Sequence, residues 1–169
     1  MTGPDLDTLQ KRGLQIGKDT NIQPGVIIDA SHCWLIEIGD RVTIAPAAMI
    51  LAHDASTLPF VGYAKVARVR IGTGAFIGAG AIILPGSRIG DYAVIGAGAV
   101  VSGEIPPGMV AVGAPARPVM TVAEYREREL ERMSQSAVFD ESYTVRGKIT
   151  EAKRREMIER IGDGVGYVR

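Results

Sequence analysis

The stretch IGTGAFIGAGAIILPGSRIGDYAVIGAGAV, residues 71–100, has an isoleucine at every sixth residue. The six-residue unit extends in both directions, from Ile16 to the hexad that begins at Val101, always with an aliphatic first residue. Position two is most often glycine, and position five is usually small or β-branched. This period fits neither the 3.6-residue α-helix nor a plain alternating strand, but it is typical of short strands joined by tight turns. Positions five and one are therefore predicted to point into a narrow interior.

Three hexads, or 18 residues, are expected to complete one coil. On this register four residues, 34–37, follow the first coil, and the second coil ends just before an aperiodic segment, residues 56–70. That segment is predicted to leave the coil as an extruded loop. The sequence thus predicts an all-β solenoid over residues 16–120, preceded by an N-terminal lead-in, residues 1–15.

The period ends near residue 120. The segments TVAEYRERELERM and TEAKRREMIERIG have helical patterns and start signals, so residues 121–169 are predicted to form a C-terminal helical extension. Because the last coil of a solenoid exposes its core, the extension is expected to act as a cap or as a clasp between subunits.

The composition excludes several classes of protein. The 19 basic residues balance 19 acidic residues, which gives no overall attraction to nucleic acid. No apolar run approaches the roughly 18 residues that a membrane span needs. Cys33 is the single cysteine, and the N-terminus has no apolar segment typical of a signal peptide. These features favour a cytoplasmic protein without disulfides.

His53 is the candidate catalytic residue, and it is one of only two histidines. It occupies position four of the hexad ILAHDA, predicted to point outward, at the root of the extruded loop. A neutral imidazole can accept a proton near neutral pH. Position five of the third hexad in successive coils is His32, Asp54 and Ser87, which predicts a polar ladder beside His53. This ladder is either a buried hydrogen-bond network or a support that orients the catalytic turn.

These hexads resemble the hexapeptide-repeat acyltransferases, which fold as a left-handed parallel β-helix. The resemblance covers roughly residues 16–120. It implies a homotrimer with active sites in the grooves between subunits. In sugar O-acetyltransferases of this family, a histidine just before the protruding loop is the general base, and His53 occupies that place. Asp54 and His32 are then candidates for its supporting residues.

The resemblance also implies acetyl-CoA as the acyl donor. The element GAPAR after the last coil is similar to a family element whose basic residue lies near the coenzyme A phosphates. Phe76 matches an aromatic residue near the reaction site, and Ala79 and Ala97 match contacts to the pantetheine arm. Ser102 matches a hydroxyl residue near the cofactor. The cofactor-binding positions implied are Phe76, Ala79, Ala97, Ser102 and Arg117. The family often has a lysine after the hydroxyl residue, where this chain has Gly103.

On the acceptor side, related enzymes place an Asn and an Asp eight residues apart, as are Asn21 and Asp29 here. The resemblance therefore implies transfer to a hydroxyl of a sugar or sugar nucleotide, in polysaccharide or cell-envelope biosynthesis. The alternative within enzymes is N-acetylation of a nucleotide-linked amino sugar, whose enzymes often add an N-terminal α/β domain. A covalent acyl intermediate on Cys33 is disfavoured.

Two non-transferase alternatives stay open. A γ-type carbonic anhydrase shares the β-helix but needs three histidines around zinc, and this context does not match, so no metal is predicted. A non-catalytic scaffold would bind no coenzyme A and would not depend on His53.

Overall fold

The structure is a computed structural model that describes residues 5–169. The chain divides into two compact units, one that ends at Val122 and one that comprises Ala123–Arg169. In the first unit the lead-in contains a short helix, α1 (Leu6–Lys11), capped by the Asp5 carboxylate, which accepts a hydrogen bond from the Thr8 backbone N–H. Residues 1–4 of the predicted lead-in lie outside the described residues.

The first unit consists of short strands that follow one another around a coil. In chain order they are β1 (Gln15–Ile16), β2 (Asn21–Ile22), β3 (Ile27–Ile28), β4 (Ile36–Ile38), β5 (Thr43–Ile44), β6 (Met49–Ile50), β7 (His53–Asp54), β8 (Lys65–Val66), β9 (Val69–Ile71), β10 (Phe76–Ile77), β11 (Ile82–Ile83), β12 (Arg88–Ile89), β13 (Val94–Ile95), β14 (Val100–Val101), β15 (Glu104–Ile105), β16 (Met109–Val112) and β17 (Arg117–Thr121). Successive turns of the coil stack, so each strand other than β7, β8 and β17 pairs in parallel with a strand of the neighbouring turn.

Three parallel sheets result. Sheet 1 has the order β1-β4-β9-β12-β15, and sheet 3 has the order β3-β6-β11-β14. Sheet 2 has the order β2-β5-β10-β13-β16, and β17 closes its edge as an antiparallel partner of β16. Where the coil is regular its period is that of three hexads, as shown by the pairs Ile71 with Ile89 and Ile77 with Ile95.

The core is the column of side chains inside the coil. Position-one residues such as Ile77 and Ile95 are fully buried. Position five holds small residues, of which Ala81 and Ala99 are also fully buried. The prediction that positions one and five face inward is therefore confirmed. An interior this narrow excludes large aromatic residues and accounts for their low content in the chain.

Glycine serves two different purposes in the hexad. At position two it permits close approach between turns, since a Cβ on Gly78 would lie 2.5 Å from the Ala97 backbone nitrogen. At position four the backbone is left-handed, which favours glycine. The position-four residues with positive φ are Asp19, Gly25, Arg41, Ala47, Gly74, Gly80, Gly86, Tyr92 and Gly98. His53 also occupies position four but belongs to an extended strand.

The last predicted hexad, VSGEIP, is wrong in one respect. Counting six residues from Val101 puts Ile105 at position five, but Ile105 pairs in register with Ile89 and therefore occupies position one. The turn from Val101 to Ile105 is two residues shorter than a hexad, which explains why a large aliphatic residue broke the position-five rule.

The second unit contains helix α4 (Glu151–Ile161) and most of helix α3 (Val122–Ser134), which starts at the preceding residue. It also contains strands β18 (Ala137–Phe139) and β19 (Gly166–Val168), which pair in parallel and bury Phe139. The prediction of a purely helical extension therefore needs correction, because the extension also contains a strand pair. The segments that form β18 and β19 are too short and too far apart to show a period in the sequence. Among residues 5–169, no helix is both long and apolar enough to cross a bilayer.

Candidate active site

The coil is interrupted at His53 because position four does not make its usual left-handed turn there. The backbone continues in β7, which pairs antiparallel with β8. Between them lie a 3-10 turn (Ala55–Thr57) and a short helix, α2 (Leu58–Val61). The predicted bounds of the loop, 56–70, need correction at both ends. The chain leaves the coil at His53, and Val69 has already rejoined sheet 1 opposite Ile36.

His53 forms a close pair with a buried carboxylate. Its Nδ1 lies 2.5 Å from Asp29 Oδ2, which belongs to the preceding turn of the coil. The His53 side chain is 35% exposed, whereas that of Asp29 is 2% exposed. A carboxylate accepts but cannot donate, so the pair assigns the proton of the neutral ring to Nδ1. Nε2 then carries the lone pair, as a general base requires.

Asp29 is held rigidly by backbone groups. Its Oδ1 accepts from the N–H groups of Ser31 at 3.0 Å and His32 at 3.3 Å, and its Oδ2 also accepts from Ala52 N–H at 3.1 Å. Burial by itself would raise the pKa of the Asp29 carboxyl, but its hydrogen bonds, led by that from His53, outweigh burial and hold this pKa below its ordinary value. Asp29 is therefore ionised at neutral pH and accepts the hydrogen bond from His53 Nδ1.

His32 lies against this pair. Its ring centroid is 5.0 Å from that of His53 and 5.3 Å from that of Trp34. Among residues 5–169, its buried Nδ1 has no hydrogen-bond partner. The prediction that His32 lies beside His53 agrees with this geometry, although the predicted polar ladder is not what brings the two together.

The prediction of a polar ladder formed by His32, Asp54 and Ser87 is wrong. Asp54 turns toward the extruded loop, where Ser56 N–H donates to it at 2.9 Å and Lys65 Nζ lies 3.1 Å away. Hydrogen bonds from Ser56 and then from Lys65 lower the pKa of Asp54 to about 2. Ser87 is buried and donates to the Val101 carbonyl at 3.0 Å.

The reason for this error lies in the two irregular turns. The extra residues 34–37 and the extruded loop shift the register of sheet 1, so Ile36 and Val69 take the inward positions assigned to His32 and Asp54. Ser87 follows in the next, regular turn and keeps its predicted inward position.

The predicted acceptor pair is also separated. Asn21 lies in β2 of sheet 2, where its Oδ1 accepts from Gln23 Nε2 at 2.7 Å. The Asp29 carboxylate is buried and engaged by backbone groups and His53, so it is not available to bind an acceptor. Asp29 instead positions the base, a role that sequence reasoning missed. The available signal was an aspartate at position two, where glycine is usual.

The cofactor-binding candidates lie at other parts of the coil. Ala79 and Ala97 are exposed and stacked on successive turns, joined by the Gly98 N–H bond to the Ala79 carbonyl at 2.8 Å. They occupy the corner between sheets 2 and 3, whereas His53 and Ser102 occupy the corner between sheets 3 and 1.

Phe76 and Arg117 belong to the strands of sheet 2. The Phe76 side chain in β10 is 42% exposed. Arg117 is exposed in β17, and its guanidinium donates to the Ala116 carbonyl at 2.9 Å. Within one chain, Ser102 thus shares a corner of the coil with the predicted base, whereas the other predicted cofactor residues lie on a different corner or on sheet 2.

Comparison with known proteins gives concordant results. The family model described as bacterial transferase hexapeptide (six repeats) matches residues 68–103. Protein CapG of Staphylococcus aureus is 37% identical over 133 residues, which cover 74% of this chain and 76% of CapG.

Solved structures of other acetyltransferases have a similar fold over part of their length. A maltose O-acetyltransferase from Clostridium difficile 630 superposes with a TM-score of 0.56 at 32% identity, over 69% of this chain and 73% of that one. A hexapeptide-repeat acetyltransferase from Vibrio cholerae, solved in complex with acetyl coenzyme A, gives a TM-score of 0.58 at 26% identity, over 65% and 61% of the two chains.

Proposed function

The chain belongs to the hexapeptide-repeat acyltransferase family, and on that premise we propose that it is an acetyl-CoA-dependent O-acetyltransferase that acts on a sugar hydroxyl. The single observation that carries this proposal is the 2.5 Å contact between His53 and the buried Asp29 at the root of the extruded loop. We further infer that the stacked coil is a left-handed β-helix, and that the reaction belongs to polysaccharide or cell-envelope biosynthesis in the cytoplasm.

The chemistry follows from the assigned tautomer. His53 Nε2 takes the proton of the acceptor hydroxyl, and the hydroxyl oxygen attacks the carbonyl carbon of the thioester. The C–O bond forms, the tetrahedral intermediate collapses, and the C–S bond breaks. The imidazolium then returns its proton to the departing thiolate, which leaves as coenzyme A. Asp29 stabilises the imidazolium in between, since its negative charge lies against Nδ1.

The placement of the candidate residues supports a site shared between copies of the chain. His53 and the pair Ala79–Ala97 lie on different corners, so a groove between two protomers could present one corner from each. The extruded loop supports the same arrangement, because Phe60 is 86% exposed and Tyr63 is 79% exposed at its tip. Large apolar side chains of this kind suit an interface. We propose a homotrimer on this basis.

Acetyl-CoA is proposed as the donor because a structural relative was solved with it. The thioester arm would pass the exposed backbone near Ala79 and Ala97, and Arg117 would face the phosphates, for which its guanidinium fork is suited.

The test is a thiol-release assay with acetyl-CoA and a panel of free and nucleotide-linked sugars. We expect thiol release that depends on a sugar, and a loss of about 10²- to 10⁴-fold in kcat for His53→Ala. Asp54→Asn is the matched control, because Asp54 adjoins His53 in sequence but faces Lys65. Calorimetric binding of coenzyme A by His53→Ala shows that the variant is folded. Wild-type rates in His53→Ala, or release that ignores every hydroxyl acceptor, would refute the proposal.

A further inference from the structure

The only two histidines of the chain converge on one carboxylate. Asp29, His32 and His53 each offer a ligand atom, and these atoms all lie within 4.8 Å of one another. They come from two successive turns of the coil. Two imidazoles and a carboxylate are the donor set that zinc and its neighbours in the first transition series prefer.

The mechanism leaves one polar atom of this cluster unexplained. His32 Nδ1 is buried and has no hydrogen-bond partner among the described residues. An unpaired buried polar group is destabilising, so a native structure usually provides a partner for it. The acyl transfer as derived uses Asp29 and His53 but not His32.

We propose that Asp29, His32 and His53 form a binding site for a zinc-class divalent cation, and that occupation of this site inhibits the enzyme. The inhibitory part rests on the proposed function of His53 as the base. Asp29 offers a carboxylate oxygen and the His53 side chain is partly exposed, so an ion has both an oxygen ligand and a path from solvent. The site is selective against magnesium, which requires oxygen ligands.

Metal binding would disable the base through the imidazole proton. An ion held by Asp29 Oδ2 and His53 Nδ1 takes the place of the Nδ1 proton. The ring remains neutral, and its one proton moves through solvent to Nε2, the nitrogen that must be free to accept the hydroxyl proton. No electrons are transferred, and the ring binds the same number of protons before and after.

The geometry requires only small movements of side chains. Tetrahedral zinc has bonds of about 2.0–2.1 Å, which places its ligand atoms roughly 3.3 Å apart. The contact of 2.5 Å between His53 and Asp29 must open, and His32 must approach from no more than 4.8 Å. The His32 ring packs against the rings of Trp34 and His53, and the proposal requires it to turn about its side-chain bonds to bring a ring nitrogen to the ion.

The experiment uses the full chain with any affinity tag removed, stripped of metal and titrated with Co²⁺ and with Zn²⁺. We expect one equivalent of Co²⁺ per chain with the visible absorption of a four-coordinate site, and no binding of Mg²⁺. His32→Gln is expected to weaken binding of both ions by at least about tenfold, since loss of a residue that only supports a metal ligand already costs about 10- to 100-fold. His53→Gln is the second variant, and Asp54→Asn is the control expected to bind as wild type does.

Inhibition is measured separately, as the zinc concentration that halves each protein's own metal-free rate. We expect this concentration to rise in His32→Gln by the same factor as the dissociation constant. Equal Zn²⁺ affinity in wild type and both histidine variants would overturn the site, as would the absence of Co²⁺ binding. Zinc that binds but leaves the rate unchanged or raises it would overturn the inhibition. The spectroscopic result does not depend on activity, so failure of the proposed function would leave it interpretable.

Discussion

Replacement of Asp29 by asparagine tests the hydrogen bonding around the base directly. Asp29 accepts four hydrogen bonds, two on each oxygen, and one of them comes from His53. Asparagine has one oxygen and one NH₂ group of nearly the same shape. If its oxygen keeps the bonds from Ser31 and His32, its NH₂ faces His53 and donates to Nδ1. The ring proton is then forced onto Nε2, and the base is blocked.

The magnitude follows from the bond that is lost. A hydrogen bond to a charged group contributes about 1.5–3 kcal/mol, which corresponds to about 10- to 150-fold in rate. Reversal of a catalytic tautomer costs up to about 10⁴-fold. We therefore expect kcat of Asp29→Asn to fall by at least about tenfold and by as much as about 10⁴-fold, with little change in the KM for acetyl-CoA. The measurement is steady-state thiol release under saturating sugar.

Asp54→Asn serves as the control, because Asp54 contacts Ser56 and Lys65 rather than the imidazole. Its kcat is expected to stay within about threefold of wild type, since exposed ion pairs contribute little. A wild-type kcat in Asp29→Asn, with circular dichroism unchanged, would refute the role of Asp29. Equal losses in the two variants would show that the effect is general rather than specific to the His53 contact.

The pH dependence of stability gives a second readout of the same variant. The folded pKa of Asp29 lies below its unfolded value, so the ionised carboxylate stabilises the fold above the unfolded pKa of about 3.9, and this stabilisation is lost as the pH falls through the folded pKa. The difference in Tm between wild type and Asp29→Asn should therefore be largest near neutral pH and shrink below about pH 4. A difference that stays constant down to pH 3 would contradict this.

Two further predictions concern the coil. Gly78→Ala places a methyl group 2.5 Å from the Ala97 nitrogen and should lower the free energy of unfolding by about 1–3 kcal/mol. Gly80→Asn, at an open left-handed position, should lower it by less than about 1 kcal/mol. Urea denaturation compares the two variants, and equal losses would contradict the steric account. Ile77 is fully buried, and Ile77→Ala should lower the free energy of unfolding by about 2–5 kcal/mol. Ile27 is 51% exposed, and Ile27→Ala should lower it by under about 1 kcal/mol in the same assay at one protein concentration. A small loss for Ile77→Ala would argue against the buried column of side chains.

The regular part of the coil could be read from the sequence because its rules are local. An aliphatic residue at position one and a small residue at position five repeat with the period of the backbone itself, and the structure buries both. Glycine at position four likewise reports a local backbone conformation. The strand pair β18–β19 was missed because its two halves are separated along the chain and acquire meaning only when they pair.

The candidate site divides in the same way. His53 could be identified from its place before a break in the period, which is a feature of neighbouring residues. The contact with Asp29 could not, because it joins residues 24 positions apart through a turn that contains four extra residues. The simple register therefore put Asp54 and His32 inside, where Ile36 and Val69 actually lie.

The sequence by itself determined the repeating coil, its inward residues and the histidine at its interruption, because each depends on spacing within one or two hexads. Only the tertiary structure decided which carboxylate meets that histidine, and that both histidines of the chain meet at one place. The physical reason is that the hydrogen bonds of the neighbouring sheets fix how an irregular turn stacks on the next one. The number of extra residues in such a turn does not by itself determine where its side chains point.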